Sequence, residues 1–282
     1  MRIGLIGIDS SHAEDFIRHF NIEARYPDLR VTALWARDAR AARYATLTAM
    51  SSGIAAASSL QALLDAVDAV IVGDRDGRLH AAHALPAIAA GKPVFVDKPL
   101  SNGLADAERI VNAASMAGVA LLSGSALRWA GDTQMLKRRL EQMEGPLKLE
   151  AHGTWYPDSE YGGAIFYGIH TIELVLELLG TDWSGLGLSG GPIVHCRYAN
   201  AEASLRFEPL GASGSSAFGV SVTSGDTHFE QAIALPRDYM LPVVDRVAAM
   251  LRTGRSGMSP AELLAPLRMM EEIEALLPVS QA

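Results

Sequence analysis

The sequence predicts a parallel, doubly wound α/β domain over residues 1–125, followed by an α+β domain over 126–282 with a mostly antiparallel, open sheet. Two observations carry this. The first part alternates short apolar runs with helix-like segments, and after about Ser125 the rhythm changes to strand-like runs joined by short turn signals.

In the first part, Arg2–Gly7, Val31–Trp35, Gly53–Ala56, Ala69–Val72, Pro93–Val96 and Val119–Ser123 are apolar enough to be buried on both faces, as a parallel sheet requires. The helical stretches between them have readable ends. Ser11-His12-Ala13-Glu14 has the spacing of a capping box, and Ser58 with Gln61 is a second candidate. Gly91 and Gly118 stand where helices stop, and Pro93 follows the first of them. Strand, helix, strand at this rhythm gives right-handed βαβ units and hence a Rossmann-type sheet.

In the second part a helix is expected near Asp132–Met143, a strand at Leu147–Tyr156 after Gly145-Pro146, and a helix at Tyr167–Leu179 closed by Gly180. Strands follow at Ile193–Tyr198, Ala203–Phe207, Ala217–Thr223 and His228–Leu235. Ser259-Pro260-Ala261-Glu262 sets an N-cap, Pro at the first helical position and Glu at the third, starting a helix to Leu277. The site is expected in the cleft between the domains.

With 49% hydrophobic and 20% charged residues the chain reads as an ordinary globular protein. A net charge of −8 gives no reason to expect nucleic acid or an anionic membrane as a partner. Cys196 is the single cysteine, which excludes an intramolecular disulfide and a multi-cysteine zinc site. No targeting segment, repeat or bilayer-length apolar stretch is legible, so a cytoplasmic protein is expected.

Ligands of open parallel sheets sit beyond the carboxyl ends of the strands. The residues there are Asp9 and His12, Trp35 to Asp38, Asp74 to His80, and Asp97-Lys98-Pro99, a polar rim on an apolar sheet. Within it, Ala90-Gly91-Lys92-Pro93-Val94-Phe95-Val96-Asp97-Lys98-Pro99-Leu100 resembles the AGKHVLCEKPLA motif of the glucose–fructose oxidoreductase and inositol dehydrogenase group, Gfo/Idh/MocA. His80, Arg128, the glycine-rich run Gly162 to His170, Arg252-Thr253-Gly254 and the Ser259 to Glu262 segment fit the same pattern in order.

The resemblance implies an NAD- or NADP-dependent oxidoreductase acting on a hydroxyl of a sugar, polyol or sugar acid. It implies Lys98 as the group hydrogen-bonding the reacting hydroxyl and His170 as proton acceptor or orienter. The cofactor would lie along Gly7, Asp9, Ser10, His12, Ala36, Arg37, Asp74, His80 and Asp97, with Arg128 and Glu173 on the substrate side and no metal. Lys98 as an ion-pair partner of Asp97 and Asp74, and Arg128 as a brace of the domain interface, are the competing readings. Relatives commonly bury the open sheet face against a partner, which implies a homodimer or homotetramer, and the strands at Ala217–Thr223 and His228–Leu235 carry apolar side chains at alternate positions.

Four departures from the family pattern stand out. The phosphate loop G-x-G-x-x-G reads Gly7-Ile8-Asp9-Ser10-Ser11-His12, so the second and third glycines are Asp9 and His12. Like charges ~4 Å apart repel by ~4 kcal/mol at an effective dielectric of about 20, so Asp9 must turn away from a pyrophosphate, be neutralised or be bridged to it by a cation. Ala36 replaces the ribose-binding acid and Arg37 follows it, which suits a 2′-phosphate. Phe166 stands where the family has an aspartate four residues before the histidine, with Glu173 one turn beyond His170 as a candidate substitute. Finally, Gly73-Asp74-Arg75-Asp76-Gly77 replaces a Thr-Pro turn. Two further functions fit this frame: a non-redox lyase or isomerase using Lys98, His170 and the extra acids, and a cofactor-less binding or regulatory protein.

Overall fold

The computed structural model describes residues 1–38, 40–189, 193–211 and 217–276. It divides into two compact units, Met1–Gly124 with Met240–Leu263, and Ser125–Tyr239 with the chain from Leu264 onward. A single cut near residue 125 therefore misses one feature: the segment from Met240 to Leu263 belongs with the first unit.

In the first unit, β1 (Arg2–Ile6), β2 (Arg30–Trp35), β3 (Ala55–Ala56), β4 (Ala69–Val72), β5 (Val94–Val96) and β6 (Leu121–Ser123) form one sheet in the order β3-β2-β1-β4-β5-β6. Every pair in it is parallel. The order reverses beside β1, the switch point where such sheets place their ligands. The helices are α1 (His12–Ile17, continued by a π-turn over Arg18–Ile22), α2 (Ala41–Ala49), α3 (Leu60–Ala66), α4 (His80–Ala89) and α5 (Leu104–Ala117). Ile3, Leu5, Leu34, Ile71 and Phe95 are buried in the sheet, and Phe16 of α1 meets Phe95 edge-on at 5.8 Å.

Helix ends follow the expected chemistry in part. Gly118 caps α5 in the left-handed region at φ 65°, and Gly91 has φ 70° after α4. The capping box at Ser11 does not form: Ser11 has helical dihedrals and makes no side-chain cap, because Glu14 pairs with Arg43 of α2 instead. The second cap is shifted by one residue, with Ser59 Oγ accepting the Ala62 N–H at 3.0 Å while Gln61 turns to Asp65.

The second unit opens with α6 (Ala126–Trp129) and α7 (Gly131–Leu140), followed by β7 (Leu147–Trp155) and α8 (Ile165–Leu179). The strands β8 (Gly185–Leu188), β9 (Ile193–Arg197), β10 (Ala201–Pro209), β11 (Gly219–Ser224) and β12 (Thr227–Ala232) complete a sheet in the order β12-β11-β7-β10-β9-β8. Its pairs are antiparallel except β7 with β10, which run parallel. The chain reaches β10 through the α8 crossover and the β8–β9 hairpin, and a crossover of that length returns a strand in the same direction. β8 was not anticipated, because Gly-Leu-Gly-Leu carries little strand propensity.

Leu149, Ala151, Val220 and Val222 are buried, while Lys148, Glu150, Ser221 and Thr223 alternate with them on the opposite side of the strands. The apolar positions of β11 thus belong to the core, and the open sheet face is polar. Sheet and helix meet closely where glycines permit it: a Cβ on Gly168 of α8 would stand 2.8 Å from the Trp155 ring, and one on Gly153 would stand 2.0 Å from Thr171 Oγ1. After β12 the chain forms α9 (Leu241–Thr253) and α10 (Pro260–Leu276). The box at the start of α10 is reciprocal, Glu262 N–H to Ser259 Oγ at 3.2 Å and Ser259 N–H to Glu262 Oε2 at 2.7 Å. Leu277 lies outside the described residues.

Candidate functional site

β1 ends at Gly7, whose φ of +74° is a conformation L side chains rarely adopt. A Cβ there would stand 2.3 Å from the Asp74 N and 2.4 Å from its carboxyl carbon, so the glycine admits the turn after β4. The Asp74 carboxylate points inward, to His83 Nδ1 at 2.7 Å, and the His83 ring sits edge-on to Trp35 at 5.3 Å. Asp76 serves the turn itself, accepting the Arg78 N–H at 3.0 Å and pairing with its guanidinium. Neither acid after β4 is therefore an open ligand for a cofactor.

Asp9 is exposed and turned aside. Its Oδ1 accepts the Arg75 N–H at 3.2 Å. Arg43 reaches across from α2, donating to the Ile8 carbonyl, to the Ser10 carbonyl at 2.8 Å and to the Glu14 carboxylate. Buried Ser10 turns its Oγ to the His12 N–H at 3.2 Å. Side chains of the turn itself and of α2, with the Arg75 N–H, thus hold a turn that glycines would otherwise shape. At the end of β2, the Tyr44 hydroxyl accepts the Ala36 N–H at 2.7 Å and donates to the Ala36 carbonyl at 3.0 Å, while Arg37 is exposed.

Lys98 follows β5 directly, and its backbone is gripped on both sides. Asp97 Oδ1 accepts the Lys98 N–H at 2.9 Å, and Asp97 Oδ2 lies 2.5 Å from His12 Nδ1. The Pro99 carbonyl lies 2.7 Å from His80 Nδ1, and His80 Nε2 lies 2.8 Å from the Asp74 carbonyl. Burial pushes the Asp97 carboxyl up, but the adjacent His12 and Lys98 outweigh it and hold it at about 2, below the ordinary 3.8. Asp97 and His80 are therefore struts for the lysine segment.

In the second unit His170 is half-buried on α8, and Ser125 Oγ lies 2.6 Å from its Nδ1. Glu173 Oε2 accepts the Ser125 N–H at 2.8 Å and lies 3.5 Å from Arg128 Nη1. Arg128, 3% exposed, also donates to Glu177 at 3.0 Å, and Lys137 pairs with Glu177 at 2.8 Å. These partners of Arg128 all lie within the second unit. Phe166 takes no part in a polar relay; it packs on Tyr161 at 5.1 Å and Tyr167 at 5.0 Å. Glu173, one turn beyond His170, supports Ser125 through its N–H. Sequence reading missed Ser125, His83 and Arg43. Ser125 was findable, because it lies just past β6 on the same carboxyl edge.

Among the described residues, no cluster of three or more His, Cys, Asp or Glu side chains could hold a metal ion, and no helix is long and apolar enough to cross a membrane.

Residues 1–125 match the model of an oxidoreductase family with an NAD-binding Rossmann fold, GFO_IDH_MocA. Inositol 2-dehydrogenase of Acidiphilium cryptum (strain JF-5) is 36% identical over 159 residues, covering 54% of this chain and 45% of that protein. That of Paracoccus denitrificans (strain Pd 1222) is 39% identical over 125 residues, covering 42% and 37%. The matched segments thus span less than half the length of these relatives. Among solved structures, GenD2 from gentamicin A biosynthesis in complex with NAD superposes with a TM-score of 0.80 at 18% identity, covering 96% of this chain and 92% of that one. KijD10, a 3-ketoreductase from Actinomadura kijaniata in complex with NADP and TDP-benzene, gives 0.75 at 20% identity, covering 98% and 97%. At such identities these structures show a shared fold.

Proposed function

We propose, from the match of residues 1–125 to the model of the GFO_IDH_MocA oxidoreductase family with its NAD-binding Rossmann fold, that this chain is an NAD(P)-dependent oxidoreductase acting on a hydroxyl of a sugar, polyol or sugar acid. The observation that carries the reading is Lys98, set just beyond a buried strand on the ligand edge and clamped by Asp97 and by the His80–Pro99 contact. A lysine held this way presents a hydrogen-bond donor and a positive charge to an oxygen that gains negative charge as its proton leaves. His170 acts on the reacting oxygen as proton acceptor or orienter.

The β1–α1 turn fits a dinucleotide on one condition, that Asp9 not face the phosphates, and its carboxylate is engaged by the Arg75 N–H. Gly7, Asp9, Ser10 and His12 would border the pyrophosphate, and exposed Arg37 beside Ala36 suits the 2′-phosphate of NADP. When bound, the nicotinamide supplies the hydride acceptor or donor. The inward Asp74–His83 pair and the structural role of Asp76 leave few free acids for the lyase reading. The inositol 2-dehydrogenases among the relatives support a carbohydrate-like substrate. We place the protein in the cytoplasm and, by family resemblance, as a homodimer or homotetramer.

The test is cofactor binding. NADPH or NADH at 100 times its dissociation constant should add ~2.7 kcal/mol of stability, read as a saturable rise in melting temperature. No shift with either cofactor at millimolar concentration overturns the proposal.

A further inference from the structure

The reading above leaves two roles open for His170, and the second unit holds the information that separates them. A neutral imidazole carries its proton on one nitrogen only, and the partner of the other nitrogen decides which. A carboxylate at Nδ1, of the kind the family resemblance places four residues earlier, would accept a hydrogen bond from Nδ1–H and leave Nε2 as a base. Here that position is Phe166, and the group at Nδ1 is a hydroxyl.

That hydroxyl is tightly constrained. Ser125 is 0% exposed, so it has no solvent to satisfy it. Its Oγ caps α6 by accepting the Leu127 N–H at 3.2 Å. Its backbone N–H is held by Glu173, which is held in turn by Arg128. A buried hydroxyl has one proton to place, and leaving it unpaired costs about 1–3 kcal/mol. Among the described residues, His170 Nδ1 at 2.6 Å is the acceptor within reach of the Ser125 hydroxyl. With Nδ1 accepting, the ring proton stands on Nε2.

We propose that Ser125 is a positioning residue that orients His170 and fixes its Nε2–H tautomer, making His170 a hydrogen-bond donor to the reacting oxygen and not its proton acceptor. The role rests on the oxidoreductase reading, whereas the tautomer does not. Glu173, Arg128 and Glu177 then form the support that keeps Ser125 from turning. The proton of the substrate hydroxyl then leaves to a group other than His170, with Lys98 kept as the charged donor to the same oxygen.

The experiment is long-range proton–nitrogen correlation NMR on the full chain labelled at histidine nitrogens, without cofactor, with the His170 signals identified by their loss in His170→Gln. The expected result is a neutral His170 carrying its proton on Nε2. Ser125→Ala should mix the two tautomers and lower kcat ten- to hundredfold with KM for the nicotinamide cofactor unchanged; Ser125→Thr, which keeps the hydroxyl, should restore both. A neutral wild-type ring with its proton on Nδ1 overturns the proposal, and so does a Ser125→Ala protein with unchanged tautomer and kcat. Should Ser125→Ala fail to fold, the wild-type tautomer decides alone. If wild type binds no cofactor and turns over no substrate, the oxidoreductase reading fails while the NMR result still judges Ser125.

Discussion

Asp97 shows how a residue at the ligand edge ties local chemistry to stability. Its carboxyl is held at about 2 against an ordinary 3.8. A depressed carboxyl contributes stability that is complete above about pH 4 and lost as pH falls towards about pH 2. Each pKa unit is worth about 1.4 kcal/mol, so the contribution is about 2 kcal/mol. Asp97→Asn should therefore lower the melting temperature near neutrality, and the gap to wild type should narrow as pH falls below about 4; a gap constant with pH would refute the electrostatic account. Asp9 is the second case. With its carboxylate engaged by the Arg75 N–H, Asp9→Gly should change NADPH affinity by less than about tenfold in an equilibrium titration, equivalent to about 1.4 kcal/mol. A larger gain would mean that the carboxylate faces the phosphates. At this scale the sequence revealed residue types and positions on the chain, Lys98 after its strand above all. It did not reveal that Asp74 turns inward to His83 or that Arg43 spans the loop, because those are contacts between segments far apart in sequence.

Elements were legible in proportion to how strongly their own residues dictate them. The buried β-branched runs of β1, β4 and β5 left little freedom, and the glycines after α4 and α5 marked both ends. The capping box at Ser11 failed because Arg43, 29 residues along the chain from Glu14 but its neighbour in space, competes for it, and the parallel β7–β10 pair was invisible because register is set by the crossover between them. Helix α8 offers a direct test of packing against propensity. Gly→Ala in a helix interior ordinarily stabilises by roughly 0.5–1 kcal/mol. At Gly168 the added methyl would stand 2.8 Å from the Trp155 ring and 3.2 Å from the Met270 methyl. Overpacking of this kind costs typically 1–3 kcal/mol, so Gly168→Ala should lower stability in urea denaturation. A more stable variant would show that α8 is free to shift from its sheet.

At the scale of the whole molecule, the alternation of strands and helices made the parallel-sheet architecture readable, whereas the return of Met240–Leu263 to the first unit was not, since nothing local in α9 names its partner. The open face of the second sheet presents Lys148, Glu150 and Arg206, with Glu150 and Arg206 paired. Self-association through it would rest on polar contacts, so the homodimer should weaken as salt rises, with light-scattering mass falling towards the single-chain 30.0 kDa. A mass of one chain at low salt and high concentration would refute the assembly. The central claim is tested most directly by Lys98→Met, assayed by cofactor titration alongside turnover on a panel of sugars, polyols and sugar acids. Lys98 is assigned to the reacting hydroxyl, so the account predicts nearly unchanged NAD(P) affinity with turnover lost. An active Lys98→Met enzyme, or one whose lost turnover is matched by lost cofactor binding, would contradict it.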